Sequence, residues 1–427
     1  MLIRFRASNF RSLRDEQELS MVAAFPEARK NLIHLQELEL ELVRVAGIYG
    51  ANAAGKSNIL EALLFMKTAV RDSHREWPPE GPIPREPFVF DIETLTAASI
   101  FEVDFAIDGI LYQYGFSLDS ERILEEWLHA YPQKHKQTWF KRHHNSFTFS
   151  RHLRGNNKTI EQLTRKNSLF LSAAAQNNHQ GLAPIHLWLT GKLEFYRNND
   201  LFARSQYRSN KLLADERFRS KLLNYLRLAD LGIEGIGIHQ EALSDEARGL
   251  TTDLLKIVRP ESNIQELLPE DFRILQPELQ HRTTTGSAPL NFNRESSGTQ
   301  AWFSLLFPIL NALDKGSVLF IDELDTSLHP KLAKEAIRFF QNPETNPNNA
   351  QLIFNTHDTT LLGNLLGDPS LQRDQVWLTE KDEKGATHIY PLTDFKPRKL
   401  ENVERGYLQG RYGAVPFIGQ LMVGEDD

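Results

Sequence analysis

The sequence predicts an α/β fold in which parallel strands and helices are joined to an antiparallel β lobe. Residues 42–49 are nearly all apolar and run into a glycine-rich turn and then a helix. Strand, helix and strand alternate over residues 317–355, an order that places parallel strands in one sheet. Residues 100–118 alternate around Asp108-Gly109, which is a strong hairpin signal.

The composition is that of an ordinary globular protein with two or three packed units. Of the 427 residues, 41% are hydrophobic and 25% are charged, which argues against a disordered chain. The net charge of −7 excludes a protein that coats nucleic acid by bulk charge. Cysteine is absent, so disulfides, thiolate metal sites and a cysteine nucleophile are excluded. Without an apolar run that could span a bilayer or an N-terminal leader core, we expect a cytoplasmic protein that does not contact membrane.

Apolar periodicity places the elements in order. Strand patterns occur at residues 2–10, 42–49, 100–118, 139–149, 317–323 and 351–355. Helical spacing occurs at residues 57–69, 299–313 and 331–340. The middle of the chain carries short amphipathic runs, and no heptad repeat is sustained enough for a long coiled coil. We therefore expect an N-terminal lobe over residues 1–181, a mainly helical insertion over residues 182–290 and a C-terminal lobe over residues 291–427.

The strongest chemical signal is the segment GANAAGKS at residues 50–57, which follows the buried strand and opens the helix. It matches the phosphate-loop pattern G-x-x-x-x-G-K-[ST]. The glycines let backbone N–H groups face phosphate oxygens, and the helix N-terminus adds partial positive charge. In such a loop Lys56 reaches the β- and γ-phosphates, and the hydroxyl of Ser57 binds Mg²⁺. We assign nucleotide binding to Gly50, Asn52, Ala53, Ala54, Gly55, Lys56, Ser57 and Asn58.

A second signal is VLFIDE at residues 318–323, in which four apolar residues precede two carboxylates. The apolar run predicts a buried strand whose carboxyl end lies beside the phosphate loop. Asp322 would hold Mg²⁺, and Glu323 would orient and deprotonate the attacking water. Taken alone, the pattern also fits a strand that runs into an exposed acidic turn.

Two weaker signals flank this strand pattern. Ser296, Ser297 and Gly298 lie at the start of a predicted helix, where an anion can bind, although a capping segment has the same composition. His357 follows the next apolar strand and could hydrogen-bond a γ-phosphate, although a lone histidine is usually structural or merely exposed.

In this order the motifs resemble the ABC-type ATPase heads of the SMC/RecF group. In that group, the Walker A loop corresponds to residues 50–57 and the signature to residues 295–300. The Walker B strand corresponds to residues 318–323, the D-loop to residues 325–329 and the switch histidine to His357. The signature ESSGTQ departs from the usual pattern and resembles the branch of overcoming-lysogenisation-defect proteins, above all the stand-alone RloA/AbiLi-like ATPases of the AAA family. The fold implied is a P-loop NTPase head with an antiparallel lobe and a helical insertion.

The resemblance implies an Mg²⁺-dependent ATP hydrolase that works as a homodimer or a higher homo-oligomer. Ser297 and Gly298 of one subunit would cap the γ-phosphate held by Lys56 of the other. ATP would close this head-to-tail dimer, and hydrolysis through Glu323 would open it.

The resemblance also extends to residues outside the main motifs. Arg11, in the segment NFRSL, would lie near the nucleotide. Gln176 is our candidate for the glutamine loop, where it would contact nucleotide and metal, although a glutamine in a loop often has no such role. No Toprim nuclease pattern follows His357, so we expect any nuclease or toxin effector to be encoded separately.

A basic stretch over residues 134–166 has nine Lys or Arg residues against the single acid Glu161. With Trp139 and Phe147 interleaved, it could contact a nucleic-acid backbone, or it could be the solvated face of strands.

Three functional hypotheses follow. The first is an ATP-driven switch that senses and regulates an effector in bacterial anti-phage defence, a role that rests on family analogy. The others are a DNA-binding repair or clamp ATPase of RecF/SMC type and a nucleotide-held scaffold without turnover.

Overall fold

The computed structural model describes residues 1–25, 31–197, 213, 215–229, 232–242, 244–258, 268, 273–365, 367–396 and 401–416. The chain divides into two compact units, which we call the first unit (Met1–Asn198 with Asn311–Asp427) and the second unit (Asn199–Leu310). Within the described ranges, no helix combines the length and the apolar composition that crossing a bilayer requires.

The strands are β1 (Leu2–Ser8), β2 (Gln17–Ser20), β3 (Ile33–Leu35), β4 (Leu40–Leu42), β5 (Val45–Gly50), β6 (Ser99–Ile107), β7 (Ile110–Leu118), β8 (Ile123–Tyr131), β9 (Gln137–His143), β10 (Ser146–Phe149), β11 (Leu193–Arg197), β12 (Ile233–Ala242), β13 (Arg273–Thr283), β14 (Gly286–Asn291), β15 (Val318–Asp322), β16 (Gln351–Asn355), β17 (Val376–Lys381) and β18 (Thr387–Pro391). The helices are α1 (Lys56–Asp72), α2 (Ile92–Thr96), α3 (Asn157–Leu163), α4 (Phe170–Gln176), α5 (Ala183–Gly191), α6 (Glu216–Arg227), α7 (Asp245–Val258), α8 (Ser297–Lys315), α9 (Pro330–Gln341) and α10 (Val403–Leu408).

A six-stranded sheet in the order β11-β15-β16-β5-β17-β18 carries the motif strands of the first unit. Its first five strands are parallel, and β18 runs antiparallel to β17. All six residues of β5 are buried, as expected for a strand that is covered on both faces. Because β16 lies between β5 and β15, the carboxyl ends of these three strands meet at one edge. The predicted α/β P-loop fold is confirmed.

A seven-stranded antiparallel sheet in the order β10-β9-β8-β7-β6-β1-β2 forms the other lobe of the first unit. The predicted hairpin joins β6 to β7, and both turn residues have positive φ, 47° at Asp108 and 77° at Gly109. Such a two-residue turn matches the right-handed twist of the strands. Aromatic side chains fill the core beneath the sheet, where Phe105 stacks on Trp188 with ring centroids 4.2 Å apart.

A buried ion pair fastens α4 to this sheet. Glu126 on β8 accepts hydrogen bonds from the N–H groups of Phe170 and Leu171 at 2.6 and 3.0 Å, which are the first residues of α4. Arg142 on β9 lies 3.9 Å from the Glu126 carboxylate and donates to the carbonyl of Ser168 at 2.6 Å. Burial raises the pKa of Glu126 and lowers the pKa of Arg142, while the attraction between the two charges opposes both shifts. Arg142 is therefore a structural residue and not part of a surface basic patch, where we had placed it.

Arg142→Met is expected to destabilise the first unit by about 3–5 kcal/mol, because it leaves a buried carboxylate without its partner. The measurement is the free energy of unfolding in urea, and Lys141→Met, at an exposed position on the same strand, is the matched control. Equal stabilities of the two variants would contradict a structural role for this pair.

The second unit differs from the mainly helical insertion that the sequence predicts. Its strands β12, β13 and β14 form an antiparallel sheet, accompanied by α6 and α7. β12 reads IEGIGIHQEA, and its glycines are weak strand formers that pairing with β13 holds extended. The predicted boundary also moves, because α5 and β11, which we had placed in the insertion, belong to the first unit. β11 pairs in parallel with β15, which accounts for that placement.

Candidate functional site

The phosphate-loop segment adopts the expected strand–loop–helix geometry. Ala53 and Gly55 have positive φ values of 62° and 95°, so the chain curls between β5 and α1. A Cβ atom at Gly55 would lie 2.1 Å from the hydroxyl of Thr387, and one at Gly50 would lie 2.3 Å from the hydroxyl of Thr379. Gly55 occupies the N-cap position and has no side chain to cap α1. The loop thus requires both glycines and leaves the start of the helix open to an anion.

Lys56 is folded over the loop that contains it. Its ammonium group donates to the carbonyl oxygens of Gly50 at 2.9 Å and Ala51 at 3.0 Å. Burial lowers the pKa of Lys56, and the nearby carboxylates of Asp325, Glu323 and Asp322 oppose that shift. The positive charge is therefore held inside the loop, where a phosphate group is expected.

Ser57 and Asp322 meet at the edge of the sheet, although they are far apart in the sequence. The hydroxyl of Ser57 donates to Oδ1 of Asp322 at 2.8 Å. Adjacent ligands of an octahedral Mg²⁺ ion, each about 2.0–2.1 Å from the metal, are separated by about 2.9 Å. Hydroxyl and carboxylate oxygens are also the ligands that this hard cation prefers. These two residues therefore fit an Mg²⁺ site.

Glu323 follows Asp322 in a left-handed backbone conformation, with φ of 58°. Its backbone N–H donates to Oδ1 of Asn355 at 2.5 Å, and its carboxylate accepts a hydrogen bond from the hydroxyl of Thr326 at 3.2 Å. Asn355 also donates from Nδ2 to Ser57 and Asp322. Our assignment of functional residues from the sequence omitted Asn355, because nothing marks a single amide at a strand end as functional.

His357 lies close to the same group of charges. Asp325 Oδ1 accepts hydrogen bonds from the hydroxyl of Thr356 at 2.6 Å and from the backbone N–H of His357 at 3.3 Å. Burial and the positive charge of Lys56 lower the pKa of His357, and Asp325 and Glu323 oppose the shift. The shift favours the neutral imidazole, which can donate one hydrogen bond.

Two polar side chains from distant segments, together with Asn58 in the first turn of α1, hold the loop in place through hydrogen bonds. Asn58 donates from Nδ2 to the hydroxyl of Ser12 at 2.5 Å, and the hydroxyls of Ser12 and Thr387 lie 2.7 Å apart. Thr387 donates to the carbonyl of Ala54 at 2.8 Å. Asn58, which we assigned to nucleotide binding, is thus engaged in holding the loop.

Arg11 lies against α1 and is paired with two carboxylates. It contacts Glu86 through Nε at 2.8 Å and Nη2 at 3.0 Å, and its Nη1 lies 3.4 Å from Glu61 on α1. Its contact with nucleotide stays a prediction.

Gln176 is the last residue of α4, and its side chain is exposed. The start of α4 is bonded to the C-terminal end of α1, where the N–H of Leu169 donates to Ser73 and the N–H of His74 donates to Ser172. Lys56 lies at the opposite end of α1, about 25 Å away along a helix of 17 residues. The contacts in the described part of the chain thus do not join Gln176 to Ser57 or Asp322, and its nucleotide and metal roles gain no support.

The signature segment opens α8 in the second unit. The hydroxyl of Ser296 accepts from the N–H of Thr299 at 3.2 Å, which is an N-cap interaction. Gln300 donates from Nε2 to the carbonyls of Phe292 and Glu295 at 2.9 and 3.1 Å. Ser296 and Ser297 are exposed. The segment is therefore a well-formed helix start whose serines face away from the core of the unit.

Residues 45–363 match the family described as "AAA domain, putative AbiEii toxin, Type IV TA system". The chain belongs to this AAA-domain family. The match begins at the first residue of β5 and includes the phosphate loop, both carboxylates and His357. It shows an ATPase-type P-loop domain, while the RloA/AbiLi subgroup stays a prediction.

No curated protein matches the sequence. Among solved structures, one titled "Crystal structure of the SmcHead bound to the C-winged helix domain of ScpA" is similar to the chain. It aligns with a TM-score of 0.40 and 12% identity, over 91% of this chain and 96% of that one.

Part of the basic stretch of this AAA-domain protein is engaged in contacts within the chain. Arg165 donates to the carbonyls of Ser73, His74 and Trp77. Lys134, Lys158 and Lys166 pair with the carboxylates of Glu39, Glu161 and Glu80. Both interleaved aromatics pack internally, Trp139 against Tyr112 and Phe147 against Phe149 and Phe170. The contacts favour a structural interpretation over a nucleic-acid surface.

Proposed function

We propose that the chain is an Mg²⁺-dependent ATPase whose ATP-bound form is a head-to-tail dimer that acts as a switch. The observation that carries this proposal is the hydrogen bond between Ser57 and Asp322, which brings the phosphate loop and the acidic strand end to one point. Lys56 and Glu323 lie beside that bond, so a phosphate-binding cation and a candidate base share one site.

Each residue then has a role that its position allows. Lys56 leaves the two loop carbonyls and binds the β- and γ-phosphates, while the start of α1 contributes partial positive charge. Ser57 and Asp322 would hold Mg²⁺, which when bound neutralises phosphate charge. Glu323 accepts the proton of the attacking water. His357 donates a hydrogen bond to the γ-phosphate and, through Asp325, links its loss to the D-loop.

The output is proposed from family membership and resemblance. The family description names a type IV toxin–antitoxin system, and the sequence resembles ATPases of phage defence. We infer that closing and opening of the dimer regulates a separately encoded nuclease or toxin. The pairing of five of the nine basic residues within the chain does not favour direct DNA clamping. Strong stimulation of hydrolysis by DNA, lost steeply in salt, would overturn this preference.

Mixed dimers test the shared site directly. Lys56→Ala and Ser297→Arg should each be inactive alone. Lys56→Ala removes the ammonium group that binds the phosphates, and Ser297→Arg replaces the serine that each subunit contributes to the site of its partner with a bulky side chain. Mixed in equal amounts, they should recover about a quarter of wild-type ATPase activity, since random pairing makes half the dimers mixed and each mixed dimer has one intact site.

The matched control mixes Lys56→Ala with Glu323→Gln. Both residues belong to the same subunit's half of the site, so every site in this mixture is defective and no activity should return. No recovery in the test mixture would rule out a site that combines Lys56 of one chain with Ser297 of the other. Recovery in the control would show that Lys56 and Glu323 do not belong to the same half of the site.

A further inference from the structure

Asn355 occupies the carboxyl end of β16, between the strand of the phosphate loop and the strand of the two carboxylates. Its side chain is buried, with 1% exposure. Its Nδ2 donates to Oδ1 of Asp322 and, at 3.2 Å, to the hydroxyl oxygen of Ser57. Its Oδ1 accepts the backbone N–H of Glu323 at 2.5 Å. The opposite amide orientation would place N–H against N–H and carbonyl against carboxylate, so the chemistry of the partners settles the assignment.

The two oxygens that contact Nδ2 are the ones that fit Mg²⁺. An amide N–H carries partial positive charge, so it competes with a cation for the lone pairs of Asp322 and Ser57. A cation that takes the lone pairs facing Nδ2 would displace these hydrogen bonds. Because the amide is rigid and planar, a rotation that withdraws Nδ2 also moves Oδ1, which holds the backbone of Glu323.

Glu323 is sensitive to such a movement. Its left-handed φ of 58° is costly for a residue with a side chain and persists only where the surroundings hold it. The bond to Asn355 is one of the contacts that hold it, together with pairing of the next residue, whose N–H donates to the carbonyl of Asn355 at 3.1 Å. A shift of Asn355 thus changes where the carboxylate of Glu323 is directed.

We propose that Asn355 is a positioning residue that links metal loading between Ser57 and Asp322 to the placement of Glu323. This inference rests on the proposed function, since it assigns Mg²⁺ to those oxygens and the role of base to Glu323. In the metal-free form the amide holds the two ligands in place of the cation. In the Mg²⁺-bound form the amide is displaced, and the carboxylate of Glu323 takes the position in which it can act as the base.

Asn355→Ala and Asn355→Asp distinguish the role of Nδ2 as a hydrogen-bond donor from the role of Oδ1 as an acceptor. Alanine removes the competing donor and also the acceptor for Glu323. We expect the Mg²⁺ concentration for half-maximal hydrolysis to fall by about 3- to 10-fold and kcat to fall by about 10- to 100-fold. Aspartate removes the donor but keeps an oxygen for the N–H of Glu323. It should also bind metal more tightly than wild type, and its kcat should exceed that of the alanine variant.

Two readouts do not depend on turnover. Mn²⁺ affinity in the presence of a non-hydrolysable ATP analogue, measured by electron paramagnetic resonance, should rise in both variants. The Tm of Asn355→Asp should fall in EDTA, where two carboxylates repel each other, and should recover when Mg²⁺ and the analogue are added.

Asn348→Ala is the control, because it loses two amide hydrogen bonds to the carbonyls of Leu313 and Asp314, both at 3.0 Å, outside the site. Its metal affinity should equal that of wild type.

A residue that only supports the strand end would give a different result. Metal affinity and kcat would then fall together in Asn355→Ala, or neither would change, and either outcome overturns the proposal. If the alanine variant does not fold, the nearly isosteric aspartate variant carries the test. A wild-type chain that does not hydrolyse ATP would contradict the proposed function, while the Mn²⁺ measurement would still test Asn355.

Discussion

Lys56→Ala is expected to lower the affinity for ATP by about 100-fold or more. The ammonium group of Lys56 is partly buried and is held between the carbonyls of Gly50 and Ala51, in the centre of the loop. Its removal leaves phosphate charge facing backbone carbonyl oxygens, which repel it. The start of α1 still attracts an anion, but a helix end supplies only about half a unit charge.

The measurement is a titration with a fluorescent ATP analogue, with Mg²⁺ and with EDTA. Lys141→Ala, at an exposed position on β9, is the control that removes an equal charge from the other sheet of the first unit. The Tm of the Lys56→Ala variant without nucleotide should stay near the wild-type value, because among the described residues the lysine side chain hydrogen-bonds only to two carbonyls of its own loop. Unchanged nucleotide affinity would show that the phosphate-loop assignment is wrong.

Local patterns were sufficient for the parts of the fold that depend on neighbours in sequence. The strand over residues 351–355 has the predicted bounds, and the turn at Asp108-Gly109 forms as predicted. In both places the backbone geometry follows from a few adjacent residues. The parallel pairing of β15 and β16 was likewise predicted from the alternation of strand, helix and strand, and it is confirmed.

The parts that depend on distant contacts could not be predicted in this way. Arg142 looked like a surface residue by composition, yet it shares a strand face with the buried Phe140, two residues before it. That alternation was the available signal. Ser12 and Thr387 brace the loop across 375 residues of sequence, and no local pattern indicates such a pair. Asn355 acquires its role from two neighbouring strands, so its own sequence context is uninformative.

Glu323→Gln is expected to reduce ATP hydrolysis by about 100- to 10,000-fold while nucleotide binding is retained. Glutamine keeps the size of the side chain and an oxygen that accepts from the hydroxyl of Thr326, but it cannot take a proton from water. Asp322 and Ser57 are unchanged, so the oxygen ligands for the cation remain. If ATP closes the dimer and hydrolysis opens it, a variant that binds without turnover must accumulate in the closed state.

The decisive measurement is therefore the mass in solution of Glu323→Gln with ATP and Mg²⁺, by light scattering after size exclusion. Glu335→Gln, on the exposed side of α9 and paired there with Arg338, is the control for loss of one acidic charge. The active-site variant should stay dimeric with ATP, whereas wild type and control should return to their nucleotide-free state as ATP is consumed. Wild-type turnover in Glu323→Gln would assign the base to another residue. If Glu323→Gln stays monomeric under all conditions, a site shared between two subunits is excluded, even if hydrolysis is lost. Ser297 of one subunit and Lys56 of the other can meet only in the closed dimer.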